Sequence, residues 1–241
     1  MKQTTDSDSN SLAAARADRK TVLGDTLRRR IISMEMVPGA LVDELALAEE
    51  FGISRAPVRE LLRQLAAEGY IELEANKATR VSSMSLDSLK NFLRAAPIIY
   101  IATARLAAVN ATAVEVNELK AIQKRFRSAI EQGDLEGKII HNDAFHLHIG
   151  KMASNAYLMP SLRRLLIDHA RLGRNFYRHP AARDMQQDLE TAAAQHDLLI
   201  DAIERHDANA AAEHVRAHME LSRHRMAQYA VPEGAAASRA G

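Results

Sequence analysis

The chain has 241 residues, 32 Lys+Arg against 31 Asp+Glu, ten His, and neither Cys nor Trp. Without Cys there is no disulfide framework, thiolate metal site or Cys nucleophile, so any metal must be held by His, Asp, Glu or Asn. A net charge of +1 argues against a protein that coats nucleic acid by bulk charge, and the length fits one large or two small domains.

Residues 1–18 are rich in Ser, Asp, Asn and Ala and lack the apolar stretch of a signal peptide, so they read as a disordered tail, as do residues 230–241. The longest weakly polar stretch, Ala95 to Val114, is cut by Arg105 and reads as a buried helix rather than a bilayer span. No membrane is expected, and the location is expected to be cytoplasmic. Abundant Ala, Leu, Arg and Glu with only six Pro predict a mainly α fold. Split by segment, residues 19–82 hold ten basic and ten acidic side chains. Any binding to nucleic acid must therefore come from where the charges sit.

From Thr21 to Ser33, Leu23, Leu27 and Ile31 fall four apart on one helix face, and ValProGly at 37–39 ends the element. A short helix over 44–51 is expected to turn Leu45, Ala48 and Phe51 inward, with Gly52 closing it. Ser54 then offers an N-cap for a helix over 55–68. Val58, Leu61, Leu62 and Leu65 form its core stripe, and Arg55, Arg59 and Arg63 form a cationic stripe on another face. Two short helices about a Gly-containing turn, the second bearing cations, is a helix-turn-helix. Residues 70–74 and 79–82 alternate as two strands around AsnLys at 76–77, forming a wing.

Arg55 and Arg59 at the start of the second helix can reach guanine O6/N7 in the major groove, or phosphates. Lys77 and Arg80 on the wing can reach phosphates or the minor groove. Ser54, Arg63 and Thr79 complete the candidate DNA-contacting set. An Arg stripe alone also describes a solvated helix face; the turn, core stripe and wing in register favour DNA binding. Residues 27–40 and 44–72, above all SerArgAlaProValArgGlu at 54–60, resemble the DNA-binding domain of GntR-family bacterial regulators. The resemblance implies that Arg55, Arg59 and the wing tip contact operator DNA over a domain spanning 19–83. The wing, AsnLysAlaThrArgVal at 76–81, departs from the family's usual AsnArgGlyAlaArgVal.

Beyond Ser85 the pattern predicts helices over 86–109, 112–132, 135–153, 156–177, 184–205 and 208–229, joined by short breaks into an antiparallel bundle over 85–229. Asn142 and His146 share one helix face. His196 and His218 each lie eleven residues from the turn at Asp207, so they stand level across a hairpin. Three imidazoles and one side-chain oxygen from three helices can bind a divalent ion; the same residues would equally serve as hydrogen-bonded or exposed ones. His148 and His169 can face either way. His141, His179, His206 and His224 read as surface or turn residues.

Residues 142–155, 195–203 and 210–219 look like the FCD effector domain of FadR/VanR-type GntR regulators. That resemblance implies a metal held by Asn142, His146, His196 and His218, most simply Zn, with Ni or another first-row ion as alternatives. With Asn142 where many relatives have Asp, all four ligands are neutral, which favours an anionic ligand at the open positions. Ala96 and Tyr100 stand where relatives often carry an Arg and a Glu. Tyr100, with Arg94 and Arg174 as weaker substitutes, is the candidate effector-contacting set.

The expected protein is thus a winged helix-turn-helix domain followed by a helical bundle, a transcription regulator acting as a repressor. Its partners would be a pseudo-palindromic double-stranded operator, bound as a homodimer or higher oligomer, and a small-molecule effector. The competing class is a helical metal-dependent hydrolase using the three histidines. No obvious general base or HisGluxxHis motif supports it, and it leaves residues 20–82 unexplained.

Overall fold

The computed structural model describes residues 4–74, 77–178 and 182–229, with side chains from residue 18 onward except 175–185 and 224–229. The expected C-terminal tail, the AsnLys turn at Asn76 and the HisPro break at 179–180 fall wholly or partly outside the described residues. The chain divides into two units, residues 1–83 and 84–241.

The first unit begins with α1 (Thr4–Ile32). The helix includes residues 4–18 of the segment expected as a tail as well as the expected element from Thr21. Leu23, Leu27 and Ile31 are buried along one face, as their spacing predicts. α2 (Glu44–Glu50) is capped by Asp43, whose carboxylate accepts from the backbone N–H of Leu45 and Ala46.

The inward face of α2 is Leu47 and Ala48, with Phe51 partly buried against the core. Leu45 is 52 % exposed, contrary to expectation. In a helix of seven residues the face is set by the elements it meets rather than by its own short periodicity.

Gly52, at φ 60°, makes the tight turn into α3 (Arg55–Glu68), and Gly69, at φ 90°, ends α3 in the left-handed conformation. Val58, Leu61, Leu62 and Leu65 are buried as the stripe predicts. β1 (Ile71–Glu72) and β2 (Arg80–Val81) pair antiparallel, Ile71 opposite Val81 and Glu72 opposite Arg80. The ladder is shorter than expected, and its outer flank is instead the bridge between Leu41 and Arg80. One core joins α1, α2, α3 and both strands. Arg28 forks onto Glu68 at 2.9 and 3.0 Å and ties α1 to the end of α3.

The second unit contains α4 (Leu86–Asn110), α5 (Ala113–Glu131), α6 (Leu135–Met152), α7 (Leu158–Arg178), α8 (Ala182–Glu204) and α9 (Ala208–Tyr229). Ser85 and Asp134 cap α4 and α6, and Thr112 with Glu115 forms a capping box on α5. α4 is long and apolar enough to cross a membrane by length and composition. Its face carrying Phe92, Ala96, Tyr100, Ala104 and Ala107 is instead part of the bundle core. Neighbouring helices approach closely at Gly150 of α6, where a Cβ would overlap the Leu162 side chain of α7.

Candidate functional site: a cationic helix face and a histidine cluster

In the first unit, α3 presents Arg55, Arg59 and Arg63, all exposed, on the side away from its core stripe. Ser54 occupies the N-cap position by its backbone, but its hydroxyl makes no capping bond. Glu44, the first residue of α2, meets both leading arginines. Its carboxylate accepts from Arg55 Nε at 3.0 Å and from Arg59 at 2.8 and 3.2 Å. These contacts, that to Arg59 foremost, hold the Glu44 carboxyl below its ordinary range.

Glu44, Arg59, Arg63 and Thr79 line a hollow of about 550 Å³ between α3 and the wing. On the wing itself, Lys77 pairs with Glu74, and Arg80 donates to the Gly39 carbonyl at 2.8 Å. A helix with three exposed arginines beside a hairpin that carries Lys77 and Arg80 is suited to a duplex: the helix enters the groove and the hairpin tracks the backbone. Glu44 is a member of this face that periodicity does not find, because its role depends on how α2 packs against α3.

In the second unit, three helices converge. His146 of α6, His196 of α8 and His218 of α9 are buried, and one ring nitrogen from each lies within 4.8 Å of the others. The Nε2 atoms of His196 and His218 are 3.3 Å apart, about the separation of two nitrogens bound to one tetrahedral ion at ~2.0–2.1 Å. Asn142, buried one turn before His146, shares its helix face. Burial holds His146 and His196 well below the usual histidine range, with charged neighbours acting in the same direction, and takes His218 down to about 3. All three rings are therefore neutral near pH 7, the form that binds metals.

The donor set fits a divalent cation. His146 Nε2 is buried without a hydrogen-bond partner among the described residues, a polar atom left for a ligand to satisfy. His196 is further held by stacking on Phe145 at 3.9 Å.

Tyr100 reaches the edge of the cluster, its ring 5.1 Å from that of His146. Its hydroxyl meets His169 Nδ1 at 2.7 Å, and burial, with the Asp143 charge adding to it, pushes the phenol well up. Among the effector candidates Arg94 is exposed; it lies roughly 200° round α4 from Ala96, on the far side from the cluster. Arg174 is half-buried on α7.

Sequence spacing left His169 undecided. It is buried on α7, its ring 5.1 Å from that of His146, and burial lowers it to about 4. The signal was its place one turn beyond Leu166 and two beyond Leu162 on the apolar stripe. His148 is also buried, but it points to the Glu115 carbonyl at 2.9 Å and stands outside the cluster. His206 bonds the Ala108 carbonyl at 2.8 Å in its turn.

Comparison with known proteins agrees with this division. Residues 20–81 match the model of bacterial regulatory proteins of the gntR family, and residues 98–221 match the FCD domain. The chain is similar to the HTH-type transcriptional repressor RspR of Escherichia coli strain K12, 28% identical over 183 residues, 74% of this chain and 79% of that protein. It is also 28% identical over 221 residues to a probable D-xylose utilization operon transcriptional repressor of Paenarthrobacter nicotinovorans, covering 87% of this chain and 92% of that one. Among solved structures, E. coli McbR/YncC superposes with a TM-score of 0.74 at 22% identity, over 88% of this chain and 99% of that one. A transcriptional regulator from Rhodococcus sp. RHA1 gives 0.66 at 16% identity, over 88% and 98%.

Proposed function

The chain belongs to the GntR family of bacterial regulatory proteins, with an FCD domain after its DNA-binding domain, and from that premise we propose a metal-dependent, effector-controlled repressor. Two things are already secure: it is a DNA-binding transcription regulator, and it is not an enzyme. The hydrolase alternative is accordingly set aside. The proposal concerns what controls the DNA-binding domain.

The observation that carries it is the meeting of His146, His196 and His218 around the partnerless Nε2 of His146. Those residues, with Asn142, would hold a divalent first-row ion, zinc by preference. The ion supplies a Lewis-acidic point of positive charge. Because every protein ligand is neutral, that charge favours a small anionic metabolite such as a carboxylate. Tyr100, against His146, supplies a hydroxyl dipole at the edge of the site.

The effector acts through linkage. It changes operator affinity only to the extent that it prefers one conformational population, ~1.4 kcal/mol for each tenfold change. A homodimer in the cytoplasm would present two winged helices to a pseudo-palindromic operator, with α3 in the major groove of each half-site and Lys77 and Arg80 on the flanking backbone.

The test is a thermal-shift screen of metabolite carboxylates on the full chain, with and without chelator, followed by operator binding in the presence of each hit. The expected hits raise the melting temperature only when metal is present, and they weaken operator binding. Hits indifferent to chelator, with no stoichiometric ion in the purified protein, would replace this reading by that of a metal-free sensor.

A further inference from the structure

The histidine cluster comes with a device that decides which ring nitrogens carry protons. Gln123 of α5 is only 3 % exposed, and its carboxamide is committed at both ends. Its Nε2 donates to the Ala193 carbonyl at 2.8 Å and to Asp197 Oδ1 at 3.0 Å. Both are acceptors, so the amide cannot be turned over without setting its oxygen against two others. The remaining atom, Oε1, faces His196 Nδ1 at 3.0 Å. An amide oxygen only accepts, so His196 carries its proton on Nδ1.

A neutral imidazole has one N–H, which leaves His196 Nε2 as a bare lone pair. On the opposite side of the pair, His218 Nδ1 lies 3.1 Å from Gln195 Oε1, a second amide oxygen set against an Nδ1. With both protons on Nδ1, the two Nε2 atoms face one another at 3.3 Å with no hydrogen between them. His146 Nε2 is buried without a partner among the described residues, and one nitrogen of its ring lies within 4.8 Å of those of the other two. Two electron pairs directed at one another repel unless a cation lies between them.

We propose that Gln123, with Gln195 as its counterpart, is a positioning residue that locks His196 and His218 as Nδ1–H tautomers and so presents their Nε2 lone pairs to a divalent metal ion. The inference rests on the metal reading above. It adds that metal affinity is built into α5, a helix that contributes no ligand. Asp197 extends the chain: it accepts from Gln123 Nε2 and also pairs with Arg127, holding the amide in its only useful orientation. Outer partners of this kind fix the ring and raise its basicity as a ligand.

The experiment uses the full chain, stripped of metal and titrated with Zn²⁺ against a chromophoric chelator. Two-bond ¹H–¹⁵N spectra of the metal-free protein report the histidine tautomers. Gln123→Leu is expected to lower Zn²⁺ affinity by about 10- to 100-fold and to move His196 out of the pure Nδ1–H form.

Gln195→Leu leaves the α5–α8 hydrogen bonds in place and is expected to lower affinity in the same direction; it decides the matter should Gln123→Leu not fold. Wild-type affinity in a folded Gln123→Leu or Gln195→Leu protein, or an Nε2–H tautomer at His196 in the unmutated chain, would overturn the proposal. So would failure of the unmutated chain to take up Zn²⁺. In that case an Nδ1–H spectrum shows that the metal reading failed, whereas an Nε2–H spectrum shows that the tautomer lock did.

Discussion

Glu44 holds Arg59 by a fork: Nη2 lies 2.8 Å from one carboxylate oxygen and Nε lies 3.2 Å from the other. The same carboxylate takes Arg55 Nε, so one acid on α2 gathers both leading cations of α3. The two arginines remain 60 % and 52 % exposed at their side chains, so the pairing is solvent-screened and cheap to exchange for DNA.

Removing that acid should loosen the discrimination between DNA sequences. Glu44→Gln frees Arg55 and Arg59 to pair with any phosphate, so affinity for unrelated DNA is expected to rise several-fold at low salt. The ratio of operator to non-operator affinity should fall. Fluorescence anisotropy over a salt series checks both; an unchanged ratio would mean that Glu44 has no part in recognition.

Arg55→Ala and Arg59→Ala are each expected to lower operator affinity tenfold or more with no measurable change in melting temperature. Both side chains are exposed, whereas base and phosphate contacts depend on the guanidinium. Gel shifts indistinguishable from wild type for both variants would remove α3 from the interface.

In the metal-free protein, stability should fall steeply below about pH 6.5. His146, His169, His196 and His218 are all lowered by burial. Between their folded values and the ordinary histidine range, the unfolded chain binds protons that the folded chain does not. Each then contributes a loss of about 1.4 kcal/mol per pH unit of acidification.

Asp143 opposes them. Burial raises it to about 7 against the pull of Arg163, so its contribution is present at low pH and is lost as pH rises through that value. With four groups in one direction and one in the other, the net effect is a loss of stability as pH falls below about 6. Urea melts across that range in the presence of a chelator measure it, and a flat profile would show that the histidines titrate normally.

Zinc should stabilise the chain through those same rings. At a free concentration of 100 times its Kd an ion adds about 2.7 kcal/mol, a rise in melting temperature that chelator reverses. His218→Ala is expected to lose the rise, since it removes one of three converging nitrogens. A zinc-induced shift that survives in His218→Ala would place any ion elsewhere.

Gly150→Ala tests the packing that brings α6 to its neighbour. The added methyl group would meet the fully buried Leu162 of α7, and overpacking of this kind costs about 1–3 kcal/mol. The shift in urea midpoint reports it, and an unchanged midpoint would show that the Leu162 side chain yields to the methyl group.

Much of this architecture is legible in the amino-acid order. The helix faces of α1 and α3 follow from apolar spacing, because a 3.6-residue period assigns each residue an angle before any partner is known. His196 and His218 could be set level because two helices joined by a short turn at Asp207 run antiparallel, and equal counts from the turn are equal distances along the axes.

Tertiary structure alone decided what lies across from each face. Leu45 points outward because α2 is too short to impose its own stripe, and Glu44 gains its role only from where α3 sets Arg55 and Arg59. His169 packs its ring against that of His146, while His148 turns to the Glu115 carbonyl, by the rotation of α6 and α7 in the bundle. Gln123 sits in an apolar stripe with Leu119 and Phe126, where a polar residue signals a buried partner without identifying it. The partners, Ala193, Asp197 and His196, lie some seventy residues further along the chain. Period and propensity are local properties, whereas a hydrogen bond between helices is fixed only once packing has chosen their neighbours.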